Sequence, residues 1–369
     1  MRGSVVDLFL CGDVMTGRGI DQILPHPSDP TIYEPFTSSA IAYVELAERV
    51  SGPIPRPVDF AYIWGDALDE LQARRPDVRL VNLETSVTTS ASPEPKGINY
   101  RMHPANVPCL SVAGIDCCVV ANNHVLDWGR TGLIETVRTL SAAGIATAGA
   151  GATLTEASRP AVVHAKQGGR VLVFAFGSTT SGIPASWAAT DARPGINLLP
   201  DFSEQTVDRI GARVRALREP GDRIVVSIHW GANWGHEIPQ ALTYFAHRLI
   251  DGGVADVVHG HSSHHVKRIE VYGGRLVLYG CGDFLTDYEG ISGHEAYRPD
   301  FAVAYFASLD DESGRLTRLE MVPFRSRRFR LERVASEEVE TLRRILDQQC
   351  KAVGTRIDVS GDGVLRLRF

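Results

Sequence analysis

Along this chain of 369 residues, runs of consecutive apolar residues alternate with stretches in which apolar residues return every three or four positions. The runs at 5–10, 78–83, 117–120, 161–164, 171–176, 224–229 and 254–258 are short and carry many β-branched residues, which predicts buried strands. The periodic stretches at 66–74, 130–143, 203–217 and 240–251 predict amphipathic helices. Strand, helix and strand in turn predict an α/β fold with largely parallel pairing in each half, because a parallel neighbour requires a crossover. Beyond residue 265 the rhythm changes. Strands are expected at 266–271, 275–279, 301–309 and 316–322, with Gly273-Gly274 and Ser313-Gly314 as hairpin turns. A helix over 336–353 and a short strand near 364–367 close the chain. The expected architecture is sheet packed on sheet with helices outside.

No repeat, low-complexity run or linker interrupts this order, so 1–369 reads as one domain with its core at about 5–310 and a strand and helix extension at 311–369. One proline-rich insertion stands out at 25–66, with Pro25, Pro27, Pro30, Pro35, Pro53, Pro55 and Pro57. It is too long for an ordinary connection in a compact domain and is expected to be a lid or substrate-facing segment. A second irregular loop is expected at 178–195. The net charge of −6 argues against non-specific nucleic-acid binding, and Arg325-Ser326-Arg327-Arg328 with Arg330 reads as a solvated strand face. Neither a signal-peptide core nor a membrane anchor is read at the N-terminus, so a soluble cytoplasmic protein without a membrane partner is expected. The six cysteines show no CxxC spacing and predict buried thiols in a reducing compartment. The pattern leaves the oligomeric state open.

The chemistry collects where strands end. Cys11-Gly12-Asp13, Asn122-Asn123-His124 and His229-Trp230-Gly231 each follow an apolar run, and His259-Gly260-His261 leads into Ser262-Ser263-His264-His265, several imidazoles in one expected loop. Ligands in open α/β sheets lie at the carboxyl ends of strands, so these junctions are expected to converge. Oxygen and imidazole donors from several strand ends suit a divalent cation with one position left open. Asp13, Glu84, Asn123, His229, His261 and His264 supply that mixture, with His259 and His265 as flanking residues.

The motifs Gly12-Asp13-Val14-Met15, Asn82-Leu83-Glu84, Ala121-Asn122-Asn123-His124, His229-Trp230-Gly231, Gly260-His261-Ser262-Ser263-His264 and Tyr279-Gly280-Cys281-Gly282-Asp283-Phe284 resemble the CapA-like family of poly-γ-glutamate capsule synthesis, related to the calcineurin-like metallophosphoesterases. The resemblance covers about 5–310 and implies a four-layer αββα sandwich of two mixed sheets. It also implies a divalent metal on Glu84, Asn123, His229 and His261, with His124 as the active-site histidine beside it. Three departures bear on the metal count. Met15 stands where the phosphoesterases have the His of Asp-x-His, Glu84 stands where they have a bridging Asp, and His264 comes one residue later than their second His. One firmly bound ion, whether calcium, manganese, magnesium or zinc, is then expected.

With one metal, Asp13 is free to move protons, and His294 in its Gly-flanked loop is the second acid/base group. Soluble members of the family include peptide epimerases of lasso-peptide biosynthesis. The expected activity is therefore metal-dependent Cα epimerisation of a peptide substrate. The alternatives are phosphoester hydrolysis and an accessory or binding role in poly-γ-glutamate synthesis. Trp64, Trp128, Trp187, Trp230 and Trp234 all fall at or between the junctions. Trp230, Trp234, Arg18 and Arg101 are the expected substrate contacts, with Arg130 a further clamp. A rival reading places Cys11 and Cys281 as two facing thiols of a metal-independent racemase.

Overall fold

A computed structural model describes residues 5–166 and 168–369. Its larger sheet is mixed and ten-stranded, and the Val5–Val14 strand runs through its middle. On one side this strand pairs in parallel with Val78–Leu83, which continues to Cys117–Val119 and Ala146–Ala148, also parallel. On the other side Val5–Leu10 runs antiparallel to Phe301–Asp310, followed outward by Leu316–Arg327, Leu365–Arg368 and Arg356–Val359. The smaller sheet orders Ala161–His164, Arg170–Gly177, Arg223–His229, Val257–His261, Arg275–Leu278 and Ile269–Tyr272, with the middle four strands parallel.

Side-chain alternation along strands divides the core into three clusters. Leu8 and Leu10 of the larger sheet pack with Val171, Val173 and Val257 of the smaller one. Phe9, Val81 and Leu83, on the opposite face, pack with Tyr43, Val44, Leu133 and Leu140 of the Ile41–Ser51 and Gly129–Ala142 helices. Leu172, Phe174 and Phe176 pack with Ile210, Phe245 and Leu249 of the Glu204–Leu217 and Gln240–Asp251 helices. Each such fully buried side chain contributes about 1.5–3 kcal/mol.

The helices at Asp66–Arg74 and Gln240–Asp251 begin and end where their periodicity predicts. Other expectations shift. The apolar run at 254–258 is divided, because Val254 and Ala255 donate their N–H groups to Leu249 O and close the preceding helix. The strand is Val257–His261, so His259 and His261 lie within it and not in a loop. Asp13 is likewise inside its strand, which continues past Gly12 by exchanging Phe301–Asp310 for a parallel partner, Asp283–Leu285. The proline-rich insertion is ordered rather than irregular, with the Thr31–Glu34 and Thr37–Ser39 hairpin and the Ile41–Ser51 helix held by Tyr43, Val44 and Ala47. Arg325, Arg328 and Arg330 form surface ion pairs with Glu338, Glu332 and Asp66. All six cysteines are buried and free. Among the described residues no helix is long and apolar enough to cross a membrane.

Candidate metal centre

Six candidate ligand side chains come from strand ends of the two sheets. Asp13 is near the end of Val5–Val14, Glu84 follows Val78–Leu83, Asn123 follows Cys117–Val119, and His229 and His261 are the last residues of their strands. Asp283 opens the short strand beside Asp13, with which it is in register. His229 and His261 are also in register, which puts neighbouring imidazoles on one edge. The turn of the Val5–Val14 strand toward Asp283 depends on Gly12, where a Cβ would sit 1.7 Å from Gly282 O.

The resulting geometry is tight. His229 Nδ1 lies 2.8 Å from His261 Nδ1, and His229 Nε2 lies 2.9 Å from Asn123 Oδ1. Asp13 Oδ1 accepts from Asn82 Nδ2 at 2.7 Å and stands 3.9 Å from His261 Nδ1, while its Oδ2 accepts from Ser262 N. Glu84 Oε1 is 3.9 Å from His229 Nε2 and 3.8 Å from His124 Nε2. His264 Nδ1 meets Asp283 Oδ1 at 2.9 Å. Asp13 belongs to two groups with metal-ligand spacing, one with His229 and His261 and one with His264 and Asp283, each with donor atoms within 4.8 Å of one another.

Electrostatics point the same way. Burial, followed by repulsion from Asp283, pushes Asp13 up to about 7, and burial with Asp13 beside it pushes Glu84 well above the carboxylate range. Burial also holds His229 and His261 well below the ordinary imidazole value, leaving neutral rings fit to ligate. At His264 burial acts downward, but the Asp283 carboxylate raises it above the ordinary value. Asp283 Oδ2 is buried and lacks a hydrogen-bond partner among the described residues. The only basic side chains within 4 Å of Asp13, Glu84 and Asp283 there are histidine rings, most of them held neutral by burial. Buried anions without a compensating charge are costly, so the donor set fits a divalent cation.

His124 stands beside this set. Its Nδ1 lies 2.6 Å from Asp127 Oδ2, and burial holds it down to about 4 despite that carboxylate. With the Nδ1 proton directed to Asp127, Nε2 is left unprotonated, 3.8 Å from Glu84 Oε1. Lys96 donates to Asp127 Oδ1 at 2.7 Å and to Asn123 O. Asp127 and Lys96 were not singled out from sequence, and Asp283 stood there only within the Tyr279–Phe284 motif, without a ligand role. Only Asp283 had a signal there, the second Cys-Gly-Asp, which repeats the one ending in Asp13.

A cavity of about 420 Å³ opens above Asn123, His124 and His264, and its lining includes Arg18, Trp234, Tyr288 and His294. His294 packs flat on Trp234 at 3.8 Å. Several expected contacts belong elsewhere. Trp230 is buried, donating to Tyr279 O, because strand alternation turns it away from the side occupied by His229. Arg101 donates to Ser90 O and Asp29 O, lies over Trp128 and does not line this cavity. Arg130 donates to Ser186 O and Pro194 O. Trp64, Trp128 and Trp187 are buried. Arg18 does line the cavity but is locked by Asp287 and Glu34. Cys11 and Cys281 are wholly buried and burial pushes both thiols up, so the two-thiol alternative lacks an accessible nucleophile.

Two packed sheets with a carboxylate and imidazole cluster at their strand ends, spaced as metal ligands are, give an α/β protein of the kind the motifs resemble. Residues 7–288 match the family described as bacterial capsule synthesis protein PGA_cap, and the chain belongs to that family. It is 46% identical over 366 residues, covering 99% of this chain and 96% of the relative, to a probable polyglutamine synthesis accessory protein of Mycobacterium tuberculosis (strain CDC 1551 / Oshkosh). It is 25% identical over 290 residues to the PGA biosynthesis protein CapA of Bacillus subtilis (strain 168), covering 77% of this chain and 64% of that protein. The capsule biosynthesis protein CapA of Bacillus anthracis is 23% identical over 281 residues, 76% and 59% of the two chains.

Proposed function

We propose that this protein is an accessory factor in the synthesis of a glutamyl or glutaminyl polymer and engages that polymer at a divalent-metal centre. The observation that carries the reading is Asp13, buried and shared by two ligand-type groups, one of which reaches the cavity lining through His264, in a chain so similar to a probable polyglutamine synthesis accessory protein. The three core clusters support reading the fold as a four-layer αββα sandwich. Asp13, Glu84, Asn123, His229 and His261 would hold the cation, with His264 and Asp283 completing a second position. Three imidazoles among the donors favour manganese or zinc over magnesium or calcium. The bound ion would supply Lewis acidity toward a carbonyl or phosphoryl oxygen. His124, oriented by Asp127, accepts a proton at Nε2. An accessory role implies a partner enzyme that makes the polymer.

Phosphoester hydrolysis is the second reading, favoured by the two ligand groups that share Asp13 as a two-metal clamp would. Cα epimerisation through Asp13 and His294 ranks behind both, since Asp13 is drawn into the ligand groups and the relatives' names speak of synthesis. Metal analysis of purified protein, followed by calorimetry with glutamyl and glutaminyl oligomers before and after chelation, tests the proposal. Bound metal and metal-dependent polymer binding are expected. Phosphatase turnover without polymer binding would select the second reading, and deuterium incorporation at a peptide Cα would restore the third.

A further inference from the structure

We infer that a second cavity, on the helix-covered outer face of the smaller sheet, is a binding site for an alkyl chain that ends in a carboxylate. It encloses about 320 Å³, within the range of small-molecule sites. It shares no lining residue with the cavity above His264, so the inference stands apart from the polymer-binding reading.

The first observation concerns how the walls are held. After the irregular stretch at 178–195 the chain returns to the end of the Arg170–Gly177 strand and is tied there by its backbone. Gly177 N donates to Asn197 O at 3.0 Å, Leu199 N donates to Gly177 O at 2.8 Å, and Asn197 N donates to Gly149 O at 2.8 Å. Asn197, Leu199 and Pro200 are thereby fixed along the lining before any ligand arrives, which lowers the cost of binding. One side of the Glu204–Leu217 helix supplies another wall, with Thr206, Arg209, Ile210 and Arg213 at helical spacing.

The second observation concerns chemistry. Phe176, Leu199 and Ile210 belong to the core between this sheet and its helices, yet they also line the cavity, and Leu154 in the same lining keeps 37% exposure. An open concavity walled by apolar side chains favours an apolar occupant. The charged groups are all of one sign, for Arg209 and Arg213 line the cavity and no acidic residue does, among the described residues. Arg209 Nη2 donates to Thr206 Oγ1 at 2.8 Å, and that hydroxyl donates to Asp201 Oδ1, so a counter-charge stands one hydroxyl away. Arg213, one turn further on, is in no ion pair among the described residues, and nearby Glu204 is taken by Arg248. Two guanidinium groups a helical turn apart beside an apolar hollow match a single anionic head on an apolar body.

Calorimetry on the full chain at neutral pH tests this with decanoate, 1-decanol and decyltrimethylammonium, which share a chain length and differ in the charge of the head. A chelator keeps metal from capturing the carboxylate. Decanoate should bind one per chain, at least about ten-fold more tightly than decanol, and the ammonium should bind least. Arg209→Gln combined with Arg213→Gln should abolish the preference for decanoate while leaving the melting temperature and metal retention unchanged. Arg213→Gln alone, which breaks no ion pair, should account for most of that loss. Decanoate that fails to saturate a site, that binds no better than decanol, or that binds the double variant as it does the wild type overturns the inference. None of these results touches polymer binding at the metal centre.

Discussion

Asp13 shows how burial converts an ordinary carboxyl group into a sensor of its neighbours. Without a cation its folded value of about 7 lies above the ordinary 3.8, because burial and Asp283 both disfavour the anion. A raised carboxyl pKa contributes stability at pH below the ordinary value, and that contribution is lost as pH rises through the folded one. Chelated protein should therefore melt at falling temperature between pH about 4 and about 7, and Asp13→Asn should flatten that slope. The same variant should retain less metal after dialysis than His264→Ala, since Asp13 serves both ligand groups and His264 only one. Metal retention at the wild-type level in Asp13→Asn would return Asp13 to the role of a free base. Melting curves in chelator and elemental analysis read the two parts.

At the scale of elements, the site depends on one strand changing partner. Val5–Val14 leaves Phe301–Asp310 at Leu10 and meets Asp283–Leu285 at Asp13, with Gly12 packed against Gly282 between them. Gly12→Ala forces a methyl group into a backbone carbonyl and should cost about 3 kcal/mol or more, together with metal retention. Gly361→Ala, with open space around it, is the control and should leave chelated and loaded melting temperatures nearly unchanged. The crossing also explains which parts of the molecule were legible in the sequence. Long helices and buried strands announce themselves by period, and His229 and His261 were legible because an apolar run ends in the first and stops three residues before the second. Asp283–Leu285 was not, since three residues following glycine carry no periodicity. Arg101 and Trp230 were misread because closeness in sequence to a junction does not say which way a side chain points. Asp127 and Lys96 gained their roles only through His124, a contact made by folding.

At the scale of the whole molecule, the last sixty or so residues are part of the fold even though the family match ends at residue 288. Leu316–Arg327 pairs along nearly all of Phe301–Asp310, and Leu319, Met321, Leu342, Leu346 and Leu365 fill the space between the sheets. A chain ending at Asp310 would bare a long strand edge and lose that filling. It should be insoluble or lack cooperative unfolding in calorimetry, and a folded, metal-binding fragment would show the extension to be separable. The ligand donors divide in a way that matters at this scale too. Asp13, Glu84 and Asn123 come from the larger sheet, while His229 and His261 come from the smaller one. A cation gripped by both sets would act as a clasp between two halves whose outer faces are each secured by their own helices. Its arrival and departure would then change stiffness at one edge of the molecule, so the supply of metal would set how far the cavity can gape as well as what chemistry it holds.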